Sequence, residues 1–222
     1  MRAGRLPIVV LISGRGSNLQ AIIDAAAADL SFDIRAVISN RPRVAGLRRA
    51  QRAGIATEVL DHTDYPSREA YDQALQRLID RCRPRLVVLA GFMRILTPRF
   101  VAHYRGRMIN IHPSLLPAFP GLDTHQRALD AGVREHGASV HFVTDEVDGG
   151  PVIIQARVPV LSGDTAEVLA ARVLEQEHQI FPQAIRWFAE GRLKLEGERV
   201  LLDGEPITAA IQGPVAKEAQ PA

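Results

Sequence analysis

Cysteine is almost absent: Cys82 is the single thiol in 222 residues. No intrachain disulfide can form, and this usage fits a reducing compartment. Long hydrophobic runs are missing too. No stretch approaches the ~20 apolar residues of a membrane span. The apolar run Ile8–Ile12, preceded by Arg2 and Arg5, is too short for a secretion signal and leads straight into Ser13-Gly14-Arg15-Gly16. A cytoplasmic chain without membrane contact is expected. Lysine is scarce, with Lys194 and Lys217 the only two among 27 basic residues, and the net charge is only +2. Arg41, Arg43, Arg48, Arg49 and Arg52 crowd one region. No acid-free basic block with interleaved aromatics follows, which argues against nucleic acid, although several arginines suit small anionic ligands.

Metal-binding patterns are lacking as well. The seven histidines show no HExxH pair or other ligand spacing. The acidic run Thr144-Asp145-Glu146-Val147-Asp148-Gly149-Gly150 lacks the alternating Asp/Asn of a calcium loop. No metal is expected. There is no internal repeat and no interdomain linker.

What is present is ordinary for a globular protein: 46% apolar and 23% charged residues. The length is enough for a substantial core. Strand and helix patterns alternate through the first half; longer strands and one long helix follow. The expectation is an α/β fold, a mostly parallel Rossmann-like open sheet with helices on both faces. One domain should span residues 1–204, with residues 205–222 a flexible tail. The long helix should start near Thr165 behind Asp164 as its cap, and Pro182 should kink or restart it.

Three stretches carry candidate chemistry. In Met108-Ile109-Asn110-Ile111-His112-Pro113 a strand ends at the proline. Alternation puts Asn110 and His112 on one face, roughly 6–7 Å apart. They are either a satisfied polar pair at a loop entrance or two donors where α/β sheets bind ligands. Second, the β-branched run Ile8–Ile12 leads through Gly14, Gly16, Ser17 and Asn18 into a helix. That arrangement suits a phosphate at a helix N-terminus, or it is a tight turn with Ser17 or Asn18 as cap. Leu19 and the missing acid after the second strand break the dinucleotide fingerprint, and no Gly-Lys-Ser/Thr makes a P-loop. Third, Gly91-Phe92-Met93-Arg94-Ile95-Leu96 follows a buried strand. It is a pocket wall for a flat ring or plain core packing. Arg68 opens a helix where an acid is commoner, Cys82 reads as core, and Glu177 reads as a solvated helix charge.

The motifs Ser13–Leu19, Leu89–Leu96, Asn110–Pro117, and Gly137–His141 with Asp148-Gly149-Gly150 resemble the glycinamide ribonucleotide formyltransferases of purine synthesis, over roughly residues 8 to 204. The resemblance implies a formyltransferase fold with an N-terminal phosphate-binding half and a C-terminal folate-binding half. It implies transfer of formyl from 10-formyltetrahydrofolate to the amine of glycinamide ribonucleotide. The family's catalytic Asn, His and Asp match Asn110, His112 and Asp148. Its phosphate contacts match Gly16, Ser17 and Asn18, and a ribonucleotide contact matches Glu177. Its folate contacts match Arg68, Met93, Arg94, Ile95, Leu96, Asn110 and the loop Thr144, Asp145, Glu146, Val147 and Asp148. Ala118 departs from relatives that carry a polar residue there. Both a monomer and a homodimer fit.

Two related activities compete. Formyltetrahydrofolate hydrolases use a similar trio but carry an extra N-terminal domain; the first strand here starts near Ile8. Methionyl-tRNA formyltransferases carry an added C-terminal domain; here a short tail follows Leu202. A non-catalytic folate or nucleotide binder would not need all of Asn110, His112 and Asp148.

Overall fold

The computed structural model describes residues 4–28, 31–207 and 211–212. Its first strand, β1 (Leu6–Ile12), shows how the layers arise. Ile8, Val10 and Ile12 face one apolar cluster, whereas Val9 and Leu11 face another. Every side chain of the run is therefore buried on one face or the other, as a central parallel strand requires. The first cluster takes Leu19 and Ile22 of α1 (Ser17–Ala28), Leu47 of α2 (Ala45–Arg52), Ala128 of α5 (Thr124–Asp130) and Val173 of α6 (Ala166–Ala189). The second takes Leu75 and Ile79 of α3 (Arg68–Arg81) and Phe100 of α4 (Pro98–His103).

The remaining strands are β2 (Phe32–Ser39), β3 (Thr57–Val59), β4 (Leu86–Leu89), β5 (Met108–His112), β6 (Glu135–Phe142), β7 (Val152–Pro159), β8 (Leu193–Glu196), β9 (Arg199–Leu202), β10 (Glu205–Pro206) and β11 (Ile211–Gln212). The main sheet has the order β11-β7-β6-β5-β4-β1-β2-β3. Strands β3, β2, β1, β4 and β5 run parallel. Pairing turns antiparallel at β5–β6 and β6–β7. A separate three-stranded sheet holds β8, β9 and β10. The fold is the expected mostly parallel α/β sheet with helices on both faces.

The structure departs from the sequence expectations at the cap of α6 and in the tail. Thr165, not Asp164, caps α6, its side chain accepting from the Val168 N–H. Asp164 instead accepts from the Leu161 N–H at 2.8 Å and pairs with Arg172 at 2.6 Å. At Pro182 helix α6 does not restart but runs unbroken, with Ile180, Phe181, Ala184 and Ile185 buried on either side. Between β3 and α3 the chain makes a 3-10 turn, His62–Asp64. Part of the segment expected as a tail pairs: Glu205–Pro206 with β9, and Ile211–Gln212 with β7. The rest of that expectation, residues 208–210 and 213–222, lies outside the described residues.

Candidate active site

The C-terminal ends of β4 and β5 open onto one cleft of about 820 Å³. Asn110, His112 and Asp148 all line it. Pro113 ends β5 as expected, and Asn110 and His112 stand on the same side of the strand. Asp148 arrives from the connection between β6 and β7. Its backbone is left-handed, φ +54°, and Gly150 makes the path possible: a Cβ there would collide with the Phe142 carbonyl.

The contacts are specific. Asp148 Oδ2 lies 3.3 Å from His112 Nδ1 and accepts from the Gly121 N–H at 2.9 Å. His112 Nε2 is 2.9 Å from the Phe119 carbonyl oxygen. Both nitrogens of the buried imidazole thus face acceptors. Burial pushes the His112 pKa down; the Phe119 carbonyl and Asp148 carboxylate oppose this, and it stays below its ordinary value. Burial pushes the Asp148 pKa up, but His141, the Gly121 N–H and His112 outweigh it and hold the carboxyl below the usual range. At neutral pH Asp148 is therefore a carboxylate beside the His112 ring.

His141 escaped the sequence reading as a site residue. Its Nε2 lies 3.1 Å from Asn110 Nδ2 and 3.7 Å from Asp148 Oδ1, and its Nδ1 is 2.9 Å from the Phe142 carbonyl oxygen. An Nδ1–H donated to that carbonyl leaves Nε2 to accept from the Asn110 amide. The signal was its place on β6, but its approach depends on the antiparallel register that pairs Asn110 with His141 and His112 with Ser139.

The Gly91–Leu96 segment forms a wall of the same cleft. Met93 is 60% and Ile95 56% exposed, and Leu122 and Val147, which also line the cleft, are exposed too. Four large apolar side chains left open around one concavity mark a ligand surface. Thr144, Asp145, Glu146, Arg94 and Leu96 line the cleft as well. Arg68 is exposed in the first turn of α3 and does not line the cleft.

The glycine turn lies alongside. Ser13 N–H donates to the Gly91 carbonyl at 3.1 Å, and Ser13 Oγ accepts from the Met93 N–H at 2.8 Å. Gly16 has φ +72°, and a Cβ there would meet Gly46 Cα at 2.7 Å. The loop is thus pressed onto the start of α2. Asn18 Nδ2 donates to Glu177 Oε2 at 2.6 Å, tying α1 to α6. Glu177 is buried, not solvated, and burial raises its pKa. Cys82 is half-buried and its thiol pKa is raised by burial, which fits its reading as packing. Among the described residues no His/Cys/Asp/Glu group is arranged to hold a metal ion, and no helix is long and apolar enough to cross a membrane.

Residues 6–185 match the formyl transferase family. A phosphoribosylglycinamide formyltransferase of Escherichia coli (strain K12) is 59% identical over 201 residues, 90% of this chain and 95% of that protein. The chain belongs to the phosphoribosylglycinamide formyltransferase family. The namesake enzyme of Haemophilus influenzae is 47% identical over the same shares of both chains. A solved phosphoribosylglycinamide formyltransferase from Coxiella burnetii superposes with a TM-score of 0.91 at 55% identity, covering 95% of this chain and 100% of that one. As a family member the chain is a transferase of purine biosynthesis.

Proposed function

We propose that the cleft transfers formyl from 10-formyltetrahydrofolate to the amine of glycinamide ribonucleotide, giving formylglycinamide ribonucleotide and tetrahydrofolate. The observation that carries this reading is the 3.3 Å approach of Asp148 to His112, with Asn110 in the same cleft. The exposed Met93, Ile95, Leu122 and Val147 suit a flat folate ring, with backbone groups of Arg94 and Leu96 and the Thr144–Asp148 loop at its edges. Gly16, Ser17 and Asn18 at the start of α1 suit the ribonucleotide phosphate. Glu177, held against Asn18, suits its sugar. The folate is a substrate, and no metal is required.

The amine lone pair attacks the formyl carbon, forming the new C–N bond. Negative charge collects on the formyl oxygen. Asn110 donates an amide N–H toward that charge. The amine proton leaves through water toward the Asp148–His112 pair, where Asp148 favours the charged imidazole. The bond from the formyl carbon to the folate nitrogen then breaks. The electron pair stays on that nitrogen, which takes up a proton. No covalent enzyme intermediate is needed.

The test is kcat of Asp148→Asn and His112→Ala with both substrates saturating. Each should lose about 100-fold or more, the scale for removing a preorganised charge-stabilising group. Near-normal turnover of Asp148→Asn would remove the coupling from the mechanism.

A further inference from the structure

The wall Gly91–Leu96 has no regular hydrogen-bonded structure of its own, yet it presents side chains to the cleft. What holds it comes largely from α3, a helix on the far side from α1. Tyr71 of α3 is fully buried, and the Arg94 guanidinium carbon lies 4.5 Å from the centre of its ring. Tyr65 packs edge-on against the same ring at 5.5 Å, fixing its plane. The next residue, Asp72, is buried and accepts from the Thr97 N–H at 2.6 Å, at the other end of the wall. With the Ser13–Met93 hydrogen bond, the segment is fastened at three points.

We infer that Tyr71 is a positioning residue for the formyl-donor side of the cleft: by stacking on Arg94 it fixes the wall in the shape that receives the folate. The inference rests on the formyl-transfer reading. It follows from how the side chains divide. Arg94 is drawn onto a buried ring, and its neighbours Met93 and Ile95 are turned out at 60% and 56% exposure. A desolvated cation–π contact is strong enough to select that arrangement. Tyr71 touches no part of the cleft surface itself, so its effect must pass through Arg94. The hydroxyl of Tyr71 is buried with no hydrogen-bond partner, so the ring is the part that matters.

The test compares wild type, Tyr71→Met and Tyr71→Phe by melting temperature, kcat and both KM values. Tetrahydrofolate affinity is measured separately by calorimetry. Tyr71→Met should weaken tetrahydrofolate binding and raise the donor KM about tenfold, the scale of one such contact. The ribonucleotide KM and kcat should stay within about twofold, and Tyr71→Phe should match wild type. A folded Tyr71→Met with unchanged donor KM overturns the inference. So does a loss spread over both KM values and kcat, which marks a general structural role. Should Tyr71→Met not fold, Arg94→Lys serves: it keeps the charge but stacks poorly, and an unchanged donor KM there also overturns the inference. Wild type that binds tetrahydrofolate without formyl turnover would refute the underlying reading. In that case the calorimetric effect of Tyr71→Met still decides the role of the stack.

Discussion

His112 and Asp148 decide the chemistry at the level of single groups. The imidazole pKa lies below its ordinary value because burial outweighs the Phe119 carbonyl and the carboxylate. Removing the carboxylate removes a negative charge that favours the charged ring. In Asp148→Asn the His112 pKa should therefore fall further, and an NMR titration of the ring reads this directly. An unchanged or raised value would mean that the 3.3 Å contact is electrostatically idle. Asn110→Ala should lower kcat about 100-fold with little change in either KM, as for a donor used in the transition state. Comparable KM increases with kcat intact would make Asn110 a binding group instead. The Asn110–His112 pair was legible in the sequence, because strand alternation and Pro113 are local rules. The approach of Asp148 was not, because it depends on a loop path through a left-handed residue. His141 was hidden for a related reason: the antiparallel register that seats it beside Asn110 is a long-range property.

Among the elements, α6 shows both the reach and the limit of pattern reading. Its apolar stripe runs Leu169, Val173, Ile180 and Ala184, and Glu177 falls on it, four residues after Val173 and three before Ile180. The periodicity therefore signalled a buried carboxylate, which a default reading as a solvated charge passes over. The partner, Asn18, is on another helix and could not be named from periodicity. Glu177→Leu strands the Asn18 amide and should cost about 1–3 kcal/mol, the penalty for an unpaired buried donor. It should also raise the ribonucleotide KM. Glu177→Gln keeps the acceptor and should be milder by chemical denaturation. Equal stability losses in the two variants would show that the Asn18 bond contributes nothing. The sheet was read correctly in its parallel half, where continuous apolar runs such as Ile8–Ile12 announce burial on both faces. The turn to antiparallel pairing at β6 has no comparable local mark.

For the whole molecule, acid sensitivity follows from a buried histidine near the cleft. His136 packs edge-on against His125, which lines the cleft, and against Phe119. Burial, with His125 and His112 nearby, pushes its pKa down from 6.5 to about 4. The folded chain resists protonation there, so between those values the unfolded chain binds more protons. This contribution to stability is whole above pH 6.5 and is lost as pH falls toward about 4. The full shift corresponds to about 3 kcal/mol. Denaturant unfolding at pH 7 and at about pH 4 should show a smaller drop in His136→Phe than in wild type. An equal drop would remove His136 as a source. Membership of the phosphoribosylglycinamide formyltransferase family favours group transfer over hydrolysis, and one assay tests that most directly. Loss of formyl from 10-formyltetrahydrofolate and appearance of formylated ribonucleotide are followed together, with and without glycinamide ribonucleotide. The account predicts that formyl is lost only when the ribonucleotide is present, one product for each donor consumed. Equal loss in its absence would make the protein a hydrolase and contradict the account.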